Sequence, residues 1–364
     1  MKHRIITSLA AVGIVAGMGF GASAQAADFY AGKTVSVYIG YGPGSSYDKY
    51  ARLLADHIGR FLPGNPKILS RNMPGAGGMR VTNYIYTAAP KDGTAWGAPS
   101  RAVATEPLLY GDKSKAAFKS PLDLNWIGSL NTEVGVAAVW HTTGVKTWEE
   151  AHDKPIIVAM SSSHGGISAR AVNSLLRAKF QQVCCYGGGN NQNLAMERGE
   201  VEARIGWSWS SLKTTKMEWL KEGKINLLMQ IGLQKNAEIP GDVPLVMDLA
   251  KSETDKKALK IIFSSQSMGR PFIMPPGVPG DRVAAVQAAF MKMVADKAFL
   301  AQAKKHRLDI DDPISGKAIE DLLRDVYASP ADAVAAARAA IKSGEIKIVR
   351  QPKKRKKRKK KQAH

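Results

Sequence analysis

Cysteine is almost absent: 364 residues contain two, Cys184 and Cys185, side by side. That excludes a disulfide-stapled mini-domain and a cysteine-built metal centre. Neighbouring strand residues point to opposite faces, so the pair reads as two buried, inert thiols. Beyond the apolar stretch Ile5 to Phe20 no long hydrophobic run exists, which excludes a multi-span membrane protein. The seven histidines form no H-E-x-x-H pair and no Cys-His ligand cluster. Gly206-Trp207-Ser208-Trp209-Ser210 lacks the final glycine of a nucleophile elbow, and Asp309, Asp311 and Asp312 lack EF-hand spacing and read as a turn. Catalytic residues, metal ligands and cofactors are therefore all expected to be absent, and the chain reads as a binding protein. Acids are scarce too, with Asp+Glu 31 against Lys+Arg 52 and a net charge of +21.

The excess charge lies mostly at the two ends. Lys2, His3 and Arg4 precede the apolar run, and Ala24-Gln25-Ala26 follows it, as in a cleavable signal peptide over residues 1–26. An uncleaved membrane anchor is the alternative, and the expected location is the periplasm. At the other end Lys353 to Lys361 are all Lys or Arg, so 346–364 reads as a polybasic disordered tail. Its function is either a weak contact with an anionic surface or none beyond solvation. Setting aside two leader charges and nine tail charges reduces +21 to +10. A body of that charge, with no basic and aromatic platform, suits a small anion better than nucleic acid.

Between the ends, 45% hydrophobic residues and a length fit for two cores indicate an ordinary globular chain of two domains. Thr34 to Gly40 is β-branched and ends in Gly-Pro-Gly, as a strand does. Tyr47, Ala51, Leu54, Ile58 and Phe61 then mark one face of a helix, with Ser45 and Asp48 as its capping box. Ile156 to Met160, Val183 to Tyr186 and Val201 to Ile205 read as further strands, and residues 283–294, 297–306 and 315–327 as helices, with a last helix starting at Pro330. Alternating units of this kind predict parallel sheets flanked by helices, with ligands beyond the carboxyl ends of the strands.

Three loops sit at such ends. Tyr41, Gly42, Gly44, Ser45, Ser46 and Asp48 offer backbone donors at a helix start, which suits a carboxylate or serves only as a tight turn. Ser161, Ser162, Ser163, His164 and Gly165 offer hydroxyls, with His164 either a contact or an exposed loop residue. Tyr186, Gly187, Gly188 and Asn190 form a third donor-rich loop. Trp207 and Trp209, two apart, read as core packing or pocket lining.

The stretches GYGPGSSYDKYARLLADHIGRFLPGNPKI, NMPGAGG, AAPKDGTAWG, YGGGNNQNLAMERGEVEARIGWSWSSLK and GRPFIMPPGVPGDRV, in that order, resemble the substrate-binding proteins of tripartite tricarboxylate transporters (Bug-type receptors). The resemblance spans residues 33–330. It implies an α/β two-domain type II periplasmic-binding-protein (Venus-flytrap) fold with two crossing hinge strands, near Val134 to His141 and near Lys260 to Ser267. Domain 1 is then 27–141 with 259–345, and domain 2 is 142–258. The resemblance implies a monomeric receptor that captures a small organic carboxylate and delivers it to membrane subunits of a transporter. A ligand-sensing adaptor for a signalling partner is the alternative use of the same pocket. The first two loops carry the carboxylate contacts by resemblance, and Tyr186 to Asn190, Ser100, Arg101 and Trp207 join the pocket. The chain departs from many relatives in Gly42-Pro43-Gly44 and in its Ser-rich second loop.

Overall fold

The computed structural model describes residues 29–160, 166–184, 186 and 189–342, with the backbone of Ile346–Ile348. The expected leader and the Lys353 to Lys361 run lie outside these residues. β1 (Thr34–Ile39) alternates exposed and buried positions, sending Val35, Val37 and Ile39 into the core. It pairs in parallel with β2 (Lys67–Asn72) and β3 (Ala95–Ala98), and β4 (Asn125–Ser129) follows. The chain then enters a second sheet with β5 (Gly135–Trp140), β6 (Ile156–Met160), β7 (Phe180–Cys184), β8 (Ala203–Ser208) and β9 (Ile225–Ile231). It returns for β10 (Pro271–Met274) and β11 (Ile314–Ser315) and ends with β12 (Ile346–Ile348). The sheet orders are β11-β4-β10-β3-β1-β2 and β12-β7-β6-β8-β5-β9.

Just after each crossing a strand enters against the parallel set: β5 runs antiparallel to β8 and β9, and β10 to β3 and β4; the short β11 also runs antiparallel to β4. This is the two-lobed α/β architecture expected from the alternation. The two crossing segments are hydrogen-bonded to each other. Leu130 N donates to Arg270 O at 3.2 Å, Gly269 N to Asn131 O at 2.9 Å and Glu133 N to Gln266 O at 2.9 Å.

Several local expectations change. Lys260 to Ser267 is no strand. It is the end of the helix Glu253–Phe263 and the 3₁₀ turn Ser264–Ser267, because Ala258, Leu259, Ile261, Ile262 and Phe263 recur at helical spacing and are all buried. The helix Ala331–Lys342 packs its alanines Ala333, Ala337 and Ala340 into the same cluster as Val158 and Val172 of the second sheet's layer. Ile346–Ile348, at the start of the expected tail, pairs in parallel with β7, as alternating isoleucines favour. Cys184 is buried and disulfide-bonded, not an inert thiol. The strand alternation on which that expectation relied stops at Cys184 itself.

Four apolar clusters fill the molecule, two on the faces of each sheet. Trp207 and Trp209 belong to one of them, at 2% exposure each. Among the described residues no helix is long and apolar enough to cross a membrane.

Candidate functional site

The loop after β1 is held in shape by one carboxylate. Gly44 has φ +76°, a left-handed conformation that favours glycine, and its N–H donates to Asp48 Oδ2 at 2.8 Å. Asp48 also accepts from Arg52 Nε at 3.0 Å and Asn72 Nδ2 at 2.7 Å, and Asn72 donates to Tyr41 O at 2.9 Å. Burial raises the Asp48 pKa, but the hydrogen bonds from Arg52, Asn72 and Gly44 outweigh it and hold the carboxyl below its usual range. Ser45 caps the helix Ser46–Ile58, its Oγ accepting from Asp48 N at 3.3 Å. Asp48 and Ser45 thus spend their polar atoms on the loop itself. Gly42 faces open space.

Tyr41 and Tyr47 stack with centroids 4.5 Å apart and planes 16° from parallel. The Tyr47 hydroxyl accepts from Arg101 N at 3.3 Å. Burial raises the Tyr47 pKa, yet the charges of Arg101 and Arg270 prevail and bring it below the ordinary phenol value. Ser100 is buried at the end of the β3 segment, and its Oγ accepts from Ala102 N at 3.2 Å, capping the turn Arg101–Ala104. That turn aims Arg101 across the lobe boundary, where both terminal nitrogens lie 3.3 Å from Ser208 Oγ at the end of β8.

Arg270 sits deeper, at the crossing. It is 3% exposed, pairs with Glu133 at 3.4 Å and donates to Ser46 Oγ at 3.2 Å and Ser210 Oγ at 3.3 Å. Its guanidinium lies 4.8 Å from the Tyr47 ring centroid and 4.9 Å from that of Tyr50. The first serine of a first-lobe helix and a second-lobe helix serine therefore share one cation. The result is a boundary lined by guanidinium and hydroxyl groups, with Glu133 the carboxylate that faces them from the crossing.

On the second lobe, Tyr186 is buried and its N–H donates to Met160 O at 3.0 Å. Asn190 is exposed in the first turn of the helix Gly189–Glu197. Trp207 is buried, with the Arg204 guanidinium 4.0 Å from its ring centroid. Ser161, Ser162, Ser163, His164, Gly165, Gly187 and Gly188 lie outside the described residues. Arg270, Glu133, Ser208 and Ser210 escaped the motif reading. Arg270 stands in the GRPF stretch and the two serines in GWSWS, both noted for other reasons, while nothing local marks Glu133. No group of three or more His, Cys, Asp or Glu among the described residues is placed to hold a metal ion.

No family model matches the chain. A UPF0065 protein in the gbd 5′ region of Cupriavidus necator is 26% identical over 251 residues, 67% of this chain and 72% of that protein. A TctC solute-binding protein from Polaromonas superposes with TM-score 0.62 at 18% identity, covering 85% of this chain and 98% of that one. The fold is that of the TctC-type solute-binding proteins. MatC from Rhodopseudomonas palustris, solved with bound malate, superposes with TM-score 0.60 at 17% identity, over 85% of this chain and 99% of that one. In this TctC-type fold, β1 and β3 deliver the Tyr41 to Ser46 loop and Arg101 to one side of the boundary. β8 delivers Ser208 to the other.

Proposed function

We propose that the protein is a periplasmic solute-binding receptor, exported by its leader, that closes two lobes on a small organic carboxylate and passes it to the membrane subunits of a tripartite transporter. The observation that carries this reading is Arg101: a first-lobe cation that reaches a second-lobe hydroxyl, Ser208, beside a loop built of small residues and backbone donors. A carboxylate entering between them gains a guanidinium, two serine hydroxyls and the helix start at Ser46, which together suit a planar anion. Tyr41, Gly42, Gly44, Ser46, Ser100 and Arg101 are its first-lobe contacts in this reading, with Trp207, Tyr186, Asn190 and the Ser161 to Gly165 loop on the second. Ligand capture selects the closed arrangement from an open–closed equilibrium, by as much as the ligand prefers it. The malate bound to MatC, of the same fold, agrees with an anionic ligand of this size.

The test is native mass spectrometry of the protein as purified, followed by thermal melts with a panel of di-, tri- and aromatic carboxylic acids. A co-purifying acid, or a melting temperature raised by one member, is expected. A panel with no shift and no co-purifying ligand overturns the reading.

A further inference from the structure

The last strand of the molecule decides where its most charged segment begins. The helix Ala331–Lys342 packs on the second lobe, and β12 then joins the edge of that lobe's sheet. β12 runs parallel to β7, β7 to β6 and β6 to β8, so all four share one carboxyl end. The register aligns Ile348 with Cys184, and Cys184 with Met160. β7 ends at Cys184 and β6 at Met160, and the Tyr186 to Asn190 and Ser161 to Gly165 stretches follow them. At the same end β8 closes on Ser208, which Arg101 reaches from the first lobe. The chain thus leaves the sheet on the side of the lobe boundary, about 5 Å from β7, about 10 Å from β6 and about 14 Å from β8 by strand spacing. An antiparallel last strand would have released it at the opposite end, away from the site.

Only Val349, Arg350, Gln351 and Pro352 separate Ile348 from the unbroken Lys and Arg run, Lys353 to Lys361. Four residues reach at most about 14 Å, so the run starts close to the boundary. Its charge acts over about 8 Å at physiological salt and about 30 Å at low salt. The acids described around the boundary already hold cations: Glu133 holds Arg270, Asp48 holds Arg52, and Asp309 and Asp311 hold Lys213. Arg101 and Arg270 repel a basic segment, so the cleft draws small anions in and turns the run itself away. A tether to a lipid surface works from any point of the molecule. Placement at the ligand end matters only for something that must pass there.

We propose that Lys353 to Lys361 is an electrostatic collector: it concentrates anionic ligand at the mouth between the lobes and speeds capture, more strongly the more carboxylates the ligand carries. This rests on the carboxylate-receptor reading above. Acting before binding, the run raises the association rate and leaves release unchanged, and its effect fades as salt screens it.

The experiment is stopped-flow tryptophan fluorescence at about 10 mM and about 1 M salt, with citrate, succinate, adipate and butyrate as probes. Three proteins are compared: wild type, a chain lacking residues 353–361, and a chain with those residues moved ahead of Phe29. The last keeps the same charge but places it before the start of β1, at the far end of that strand from the site. At low salt, wild type is expected to capture a di- or tricarboxylate roughly tenfold faster than the shortened chain, and butyrate about twofold faster. At high salt the rates coincide, and release rates match throughout. The moved run does not restore the rate. Equal association rates at low salt, or full speed with the moved run, overturn the collector and leave the receptor reading standing. Retention on phosphatidylglycerol vesicles that needs residues 353–361, alongside equal association rates, assigns the run to a lipid surface and also overturns it. A wild type that binds none of the four acids removes the receptor reading and the collector with it.

Discussion

Arg270 and Glu133 form a buried ion pair where the two crossing segments meet, 3.4 Å apart, with side chains 3% and 2% exposed. Glu133 also accepts from Ser210 Oγ at 2.5 Å and from Ser210 N at 3.3 Å. The pair joins both crossing strips and the first turn of the helix Trp209–Lys221. Removing one partner leaves the other charge buried without compensation. Glu133→Gln should therefore destabilise the protein by about 3–5 kcal/mol in chemical denaturation. A loss below about 1 kcal/mol would place the pair in a wetter environment than its burial indicates.

Gly44→Val probes the first loop. Space is open around Gly44, so no clash arises, but φ +76° is strained for any side chain and most for a β-branched one. The variant should fold, at a cost of about 1–2 kcal/mol, and lose the rise in melting temperature that a carboxylate gives wild type. A full ligand-induced rise in the variant would show that the ligand does not use this turn.

Asp48 makes the same loop sensitive to acid. Its folded-state pKa lies below the unfolded value because hydrogen bonds from Arg52, Asn72 and Gly44 outweigh burial. Such a group stabilises the fold above its unfolded pKa of about 3.9, and the contribution is lost as pH falls through the folded value. Wild type should thus lose stability below about pH 4, and Asp48→Asn should lose less over that range while starting lower by about 1–3 kcal/mol at neutral pH. Parallel acid-unfolding curves for the two proteins would contradict this.

These sites show what the sequence makes legible. Ser45, Asp48 and the apolar spacing from Tyr47 to Ile58 are local, and the helix Ser46–Ile58 with its Ser45 cap appears where those residues place it. Strand β1 is equally local, since alternation along Thr34–Ile39 is set by its own residues. The crossing is different. Glu133, Ser210 and Arg270 come from three separated stretches, and no spacing rule connects them. At Lys260 to Ser267 the resemblance implies a strand, but the segment's own apolar period is helical and prevails. Trp207 was visible as an aromatic, but its relation to Arg204 depends on the break at Gly206, which a strict two-residue period hides.

Lys213 also links the lobes. From the helix Trp209–Lys221 it pairs with Asp309 at 3.0 Å and Asp311 at 3.8 Å on the first-lobe side, and with Glu238 on its own. Asp309 is tied back to the core, its N–H donating to Tyr50 Oη at 2.9 Å under Arg270. Burial lowers the Lys213 pKa, but Glu238 and Asp309 outweigh it and hold the amine above its ordinary value. Burial raises both Asp309 and Asp311, with neighbouring acids adding to the effect and Lys213 opposing it. A raised amine pKa stabilises fully below the unfolded value of about 10.4, and the contribution is lost as pH rises through the folded value. Melting temperature in wild type should therefore drop more steeply above about pH 10 than in Lys213→Met, whose melting point at neutral pH is already lower. Because the pair spans the lobes, Lys213→Met should also weaken carboxylate binding a few-fold, mainly through faster release. Identical alkaline melting curves for wild type and variant would show that the link carries no weight.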